Sequence, residues 1–232
     1  MIMEAKTGRS ELTRTAILDT ALMMAAEEGL ESLTVGTLAK RLGLSKSGVF
    51  SRIRSREALQ RAVIEEYDRR FLQDVFVPAM REPRGLPRLH AIVRLWLQRA
   101  RDIEIRTGCI YCAGAFEFDD REGPLRDMLL DGVMRWRSTL KRTVIQAIDA
   151  GHLPFATDAE QLVFEIDGIF VALMRGARFL RDPKAAGPAW GAYPGNISRA
   201  QLGYGLPAPA APAGGPASGT SAPGRPTSSP SR

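Results

Sequence analysis

Through the first 182 residues apolar side chains recur at steps of three and four, and strand-like alternation is nearly absent. That period allows one class of architecture, all-α, in which each helix buries a single stripe. Residues 11–28 carry Ile17, Ala21 and Met24 beside Leu18, Leu22 and Ala25, and Gly29 stands where a glycine commonly ends a helix. Thr34 is an N-cap for a second helix that runs to Leu42 and stops at Gly43, with Leu38, Ala39 and Leu42 inward. Ser45 caps a third helix of about two turns over residues 46–52, for which the spacing predicts Val49, Phe50 and Ile53 as inner residues. Ser55 caps a fourth, with Glu57 in its first turn and Leu59, Val63, Tyr67, Phe71 and Val75 inward, ending near Phe76. Further helices are predicted over residues 86–106, 108–118, 123–150 and 156–181.

Composition then divides the chain. Residues 183–232 hold ten of the 15 prolines together with many glycines, alanines and serines. Such a stretch buries too little apolar surface to offset its ordering entropy, so a disordered tail is expected there, with Trp190, Tyr193, Ile197 and Leu202 able to dock locally. Short helices over residues 10–56 are read as one domain, and the longer helices over 57–182 as a second, larger one. No apolar run approaches the roughly 18 residues of a membrane span, and residues 1–10 lack an apolar signal core. A cytoplasmic protein without membrane partners is expected.

The net charge of +6 is misleading as a global figure. Four of the 32 cationic residues and none of the 26 acidic ones follow residue 182, so the part before the tail carries only +2. Between residues 36 and 61, however, Lys40, Arg41, Lys46, Arg52, Arg54, Arg56 and Arg61 face Glu57 alone. A local cluster of this kind is an electrostatic footprint for phosphate, although a solvated helical face has the same composition.

The second helix, the Gly43–Leu44 turn and the third helix have the order of a helix-turn-helix. In that motif the third helix enters the major groove of double-stranded DNA with its N-terminal residues at base edges. Lys46, Ser47, Gly48, Ser51 and Arg52 are its exposed candidates, with Ser45 at the cap. Ser47 and Gly48 are small enough for close backbone approach, and Arg52 suits guanine or a phosphate. Thr34, Arg54 and Arg56 stand at helix starts, where free N–H groups and arginine suit phosphate.

The chain resembles the tetracycline-repressor (TetR) family of bacterial transcriptional regulators. The resemblance rests on Ala16, Ile17, Leu18 and Ala21, on Glu28-Gly29-Leu30, on Leu33-Thr34-Val35, Leu38 and Ala39, on Leu42-Gly43-Leu44-Ser45-Lys46, and on Ser55-Arg56-Glu57-Ala58-Leu59. It covers residues 10–60 closely. Gly108, Cys109, the stretch from Phe116 to Asp120 and the stretch from Gly123 to Asp127 resemble one C-terminal subgroup. The resemblance implies a ligand-binding and dimerising second domain, a homodimer on a palindromic operator, and release by a small-molecule effector, without cofactor or catalysis. It also implies three departures. The family usually has a DNA-facing tyrosine where Phe50 stands, so one phosphate contact is expected to be missing. An aromatic is frequent at Ile53. The family's last helix falls where Gly187, Pro188, Gly191, Pro194 and Gly195 interrupt this chain.

Other constellations carry weaker chemistry. Cys109 and Cys112 form a C-x-x-C without a second pair, which is too few ligands for zinc. A thiol redox sensor and two small core residues are both open readings. Trp96, Tyr111, Cys112, Phe116, Trp136 and Phe170 are candidate lining for an effector cavity between helices, against the plainer reading of simple core. Glu117, Asp119, Asp120 and Glu122 form an acidic cluster, with Arg121 and Arg126 as expected partners. A small helical enzyme centred there is the remaining alternative, although no catalytic motif supports it.

Overall fold

The computed structural model describes residues 2–203, with side chains from residue 14 onward. Among the described residues, nine helices of five residues or more form it: α1 (Ile2–Glu28), α2 (Val35–Leu42), α3 (Lys46–Phe50), α4 (Arg56–Phe71), α5 (Leu86–Arg99), α6 (Ile110–Glu117), α7 (Pro124–Asp149), α8 (Ala159–Met174) and α9 (Ala186–Gln201). No strand occurs among the described residues. Three helices continue through π-helical turns, at Leu72–Phe76 after α4, Ala100–Glu104 after α5 and Arg175–Phe179 after α8. Such turns add a residue to the i→i−4 ladder and rotate the helical residues beyond them. The all-α fold read from periodicity is the observed one.

The small N-terminal unit is built by its caps. The Thr34 side chain accepts the Thr37 N–H, and Thr37 returns the bond to the Thr34 N–H, a reciprocal capping box. Gly43 ends α2 in the left-handed conformation at φ 65°, which lets the chain reverse into α3 at no steric cost. Ser45 Oγ accepts the Gly48 N–H at 3.1 Å, and Ser55 Oγ accepts the Ala58 N–H at 3.0 Å. Ile17, Ala21, Leu38, Val49, Ile53 and Leu59 are buried and form the N-terminal end of one continuous core.

The larger unit packs α5, α7 and α8 around Leu89, Ile92, Leu97, Leu140, Val144, Val163 and Ile166. Burial of such side chains contributes about 1.5–3 kcal/mol each, before ordering entropy is subtracted. Three sequence expectations need correction. Phe50 is exposed (53%) while Val49 and Ile53 are buried; on a five-residue helix the inward stripe is too narrow for three neighbours. The tail does not begin at residue 183. α9 forms over Ala186–Gln201 and buries Ala189, Tyr193 and Ile197 on the common core, so tertiary burial overrides its glycines and prolines. Residues 204–232 lie outside the described part. Finally, Arg121 pairs with Glu31 at 3.6 Å and not with the acids beside it.

Candidate nucleic-acid interface and apolar cavity

On α3 and its flanks, Ser45, Lys46, Ser47, Phe50, Ser51, Arg52 and Arg54 are exposed, and Gly48 is half-buried. Arg52 folds back along the helix. Its Nη1 donates to the Gly48 carbonyl at 2.8 Å and to Ser51 Oγ at 3.4 Å, and the residue stays exposed. A Cβ at Gly48 would stand 3.0 Å from Ser45 Oγ, so the glycine leaves the Ser45 cap uncrowded. Thr34 is half-buried and its hydroxyl is committed to the α2 cap.

The local charge is smaller than its count. Arg41 pairs with Glu27 and Glu28 at 3.2 and 3.1 Å. Arg56 turns inward: Nε donates to the Leu33 carbonyl at 3.2 Å, and Nη2 donates to the Glu31 carbonyl and to Glu31 Oε2. Among the described residues, Lys40, Lys46, Arg52, Arg54 and Arg61 have no ion-pair partner. The first four flank or occupy α3 in sequence and are the cations available to an anion.

The larger domain encloses an open cavity of about 520 Å³ between α4, α5, α6, α7 and α8. All six sequence candidates, Trp96, Tyr111, Cys112, Phe116, Trp136 and Phe170, line it. The walls are aromatic. Trp96 stacks on Phe170 with ring centroids 4.2 Å apart and meets Trp136 edge-on at 4.4 Å. Phe71 and Phe76 close on Trp136 at 5.3 and 5.6 Å. The π-turn after α4 places Leu72 and Phe76 on this wall. Two carboxylates punctuate the apolar lining. Asp68 accepts from the Tyr111 hydroxyl at 2.7 Å and from Arg135 at 3.3 Å. Asp167 accepts from the Trp136 indole at 3.1 Å and from Arg137 at 3.0 Å. Burial holds the Asp167 carboxyl above its usual range, against those two donors.

A model of the bacterial regulatory proteins of the tetR family matches residues 17–63, and a tetracyclin repressor-like C-terminal domain model matches residues 85–193. Together they take in well over half of the chain. The chain belongs to the TetR family.

Solved structures agree on the fold. A TetR-family transcriptional regulator from Streptomyces coelicolor superposes with a TM-score of 0.68 at 17% identity, over 81% of this chain and 95% of the other. A TetR-family regulator from Cytophaga hutchinsonii gives 0.68 at 16%, over 84% and 97%. AibR, solved with isovaleryl coenzyme A and operator DNA, gives 0.62 at 17%, over 81% and 97%. A search of curated proteins by sequence found no match. The C-terminal match ends at residue 193, inside α9.

Within this TetR chain Cys109 is buried and Cys112 half-buried, and contact with Cys112 together with burial pushes the Cys109 thiol well above the ordinary range. A reactive thiolate needs the opposite setting, so the redox reading has no structural support. The acidic residues divide: Glu117 accepts the amides of Leu30 and Glu31, while Asp119, Asp120 and Glu122 lie exposed along one surface hollow with Arg121 and Arg126. Among the described residues no group of three or more His, Cys, Asp or Glu side chains is placed to hold a metal. No helix of the described residues is long and apolar enough to cross a membrane.

Sequence reasoning missed Phe71 and Phe76 as cavity walls, the Asp68 and Asp167 pairs, and Glu117. Phe71 was legible only as a core position, because a helical stripe does not say whether it faces protein or a void. For Glu117 the partners lie 87 and 86 residues away, and no local signal could find them.

Proposed function

We propose that this TetR-family chain is a repressor that binds a palindromic operator as a homodimer and is released by a small molecule held in the aromatic cavity. The observation that carries the reading is the pairing, in one chain, of an exposed cationic α3 with an apolar cavity of about 520 Å³. A cavity of that size suits one drug-sized ligand. Its aromatic walls favour a flat, mainly apolar effector, and the Asp68–Arg135 and Asp167–Arg137 pairs would orient its polar end. AibR, similar in fold, carries both kinds of partner in its own structure.

Lys46, Ser47, Gly48, Ser51 and Arg52 read the major groove, and Arg54 with the capped starts of α2 and α4 holds phosphates. Phe50, exposed but without a hydroxyl, contributes apolar contact and no phosphate bond. The dimer face is a stripe on α8: Phe164 and Val171 are exposed at a seven-residue spacing, and Gly168 between them has open space where a Cβ would stand. Phe179 and Leu180 extend the apolar surface.

The test has two steps. Sequences bound by the full chain are selected from a random DNA pool, and an inverted repeat is expected. Small aromatic compounds are then screened for release of that DNA. Failure to enrich any sequence overturns the DNA reading, and sedimentation of Phe164→Asp unchanged from wild type overturns the α8 face.

A further inference from the structure

We infer that Glu117 is the positioning residue through which the cavity sets the placement of the DNA-binding domain. This rests on the effector reading of the cavity. Helix α6 forms one cavity wall with Tyr111, Cys112, Ala115 and Phe116, and it ends on Glu117. The same helix lies across the end of α1. At its start, Gly108 (φ +92°) comes so near Ala26 that a Cβ would meet the Ala26 carbonyl oxygen at 2.8 Å.

At the other end the contact is polar and specific. Glu117 Oε2 accepts the Leu30 N–H at 2.9 Å, and Oε1 accepts the Glu31 N–H at 2.8 Å. These amides belong to the turn Leu30–Ser32, whose continuation is the Thr34 cap of α2. Gly29 (φ +87°) makes room for the carboxylate: a Cβ there would stand 2.7 Å from Oε1. A carboxylate gripping two adjacent amides fixes orientation as well as distance, and its bonds are charge-assisted. The turn is also held from behind, where Gln60 donates to the Leu30 carbonyl at 2.8 Å and Arg56 to those of Glu31 and Leu33.

The turn is thus held from α4 by Gln60 and Arg56 and from α6 by Glu117, with Arg121 just beyond α6 at 3.6 Å from Glu31; of these, Glu117 ends the helix whose Tyr111, Cys112, Ala115 and Phe116 form a cavity wall. On its far side α6 approaches α7 through Gly114, where a Cβ would meet Leu129 Cδ1 at 2.8 Å. A ligand that shifts α6 along this glycine contact carries Glu117 with it and frees or tilts the turn. The caps at Thr34 and Gly43 then transmit the tilt to α2 and α3. A ligand favouring the shifted position stabilises the arrangement that does not fit DNA.

Amide hydrogen exchange of the full chain tests this without knowing the ligand or the operator. Glu117→Ala should speed exchange of the Leu30 and Glu31 amides at least about tenfold, the usual scale for losing a charged acceptor. Glu117→Gln, which keeps one acceptor oxygen, should rescue part of the protection. Gly114→Ala, a wedge between α6 and α7, should speed the same amides while Glu117 is present. The double variant should show no more than Glu117→Ala alone, the non-additivity expected of one pathway. If Gly114→Ala does not fold, Ala115→Trp, which fills the cavity from the exposed side of α6, serves as the wedge. Unchanged exchange in Glu117→Ala, or additive effects in the double variant, overturns the inference. If the exchange pattern appears but the wild-type chain enriches no DNA, the regulator reading fails and the coupling stands. If the chain binds DNA and the pattern is absent, the coupling alone falls.

Discussion

Arg56 Nε donates to the Leu33 carbonyl at 3.2 Å, across 23 residues of sequence, while Arg54, two positions earlier, is exposed and has no ion-pair partner among the described residues. Two arginines of identical chemistry at the start of α4 therefore do different work. Arg56→Ala should lower stability by about 1 kcal/mol, a figure kept small because its side chain is 40% exposed. Arg54→Ala should leave the melting temperature within a degree or two and weaken DNA binding across all sequences. Thermal melts beside gel shifts separate the two; equal loss of stability in both would refute the division.

The cations on and just after α3 divide in a similar way. Lys46 is exposed at the helix start, and Lys46→Ala should reduce the slope of log affinity against log salt by about 1, as for one lost phosphate contact. Arg52 is braced on the Gly48 carbonyl, which holds its guanidinium in one place. Arg52→Ala should cost about 1–3 kcal/mol on the selected operator and relax preference at one base pair. A salt titration on selected and scrambled DNA reads both. An Arg52→Ala loss that is equal on the two DNAs would make it a phosphate contact.

Where the physics is local, the fold was legible. Thr34, Gly43, Ser45 and Ser55 act within four residues, and each cap stands where its residue type predicts. Five of the six cavity candidates were legible as aromatics on helical stripes, with Cys112 beside them, and all six line the cavity. Phe50 was misread because a period of 3.6 cannot be measured on five residues. The helical form of α9 was hidden because composition speaks of propensity, while Tyr193 and Ile197 dock as their apolar character allows and are held by burial against the rest of the core. The internal bonds of Arg56 and Glu117 were not legible because their partners are distant in sequence.

Glu66 offers a pH-dependent handle on α4. Arg69 donates to it at 2.8 and 2.7 Å and Arg70 at 2.7 Å, and these bonds lower its carboxyl to about 2 from an ordinary 4.5. A depressed acid contributes stability that is complete above its unfolded value and is lost as pH falls through its folded value. The window is therefore about pH 4.5 down to about 2. The contribution is on the order of 2 kcal/mol, less than the full shift because Arg69 is largely exposed. Glu66→Gln should lower stability at pH 7, and the gap from wild type should close below pH 4.5. Denaturant midpoints of both proteins at pH 6 and pH 3 measure this. A gap that stays constant would show that packing, and not charge, holds Glu66.

Tyr193 carries the last prediction, because it distinguishes a packed α9 from a helix merely resting on the surface. Its ring is 7% exposed and meets His90 edge-on at 5.5 Å, yet its hydroxyl is buried without a hydrogen-bond partner among the described residues. Burial alone pushes the phenol above its ordinary range, and nothing nearby offsets it. An unpaired buried hydroxyl costs about 1–3 kcal/mol, whereas the ring around it contributes favourable burial. Tyr193→Phe should therefore be neutral or stabilise the chain by up to about 1 kcal/mol. Tyr193→Ala should destabilise it by roughly 3 kcal/mol through the cavity left against α5. Urea denaturation of the two variants reads both signs at once. If Tyr193→Ala costs nothing, α9 is not part of the folded core, and a domain ending near residue 182 would be the better description. If Tyr193→Phe is the more damaging of the two, the hydroxyl has a partner and the ring is incidental.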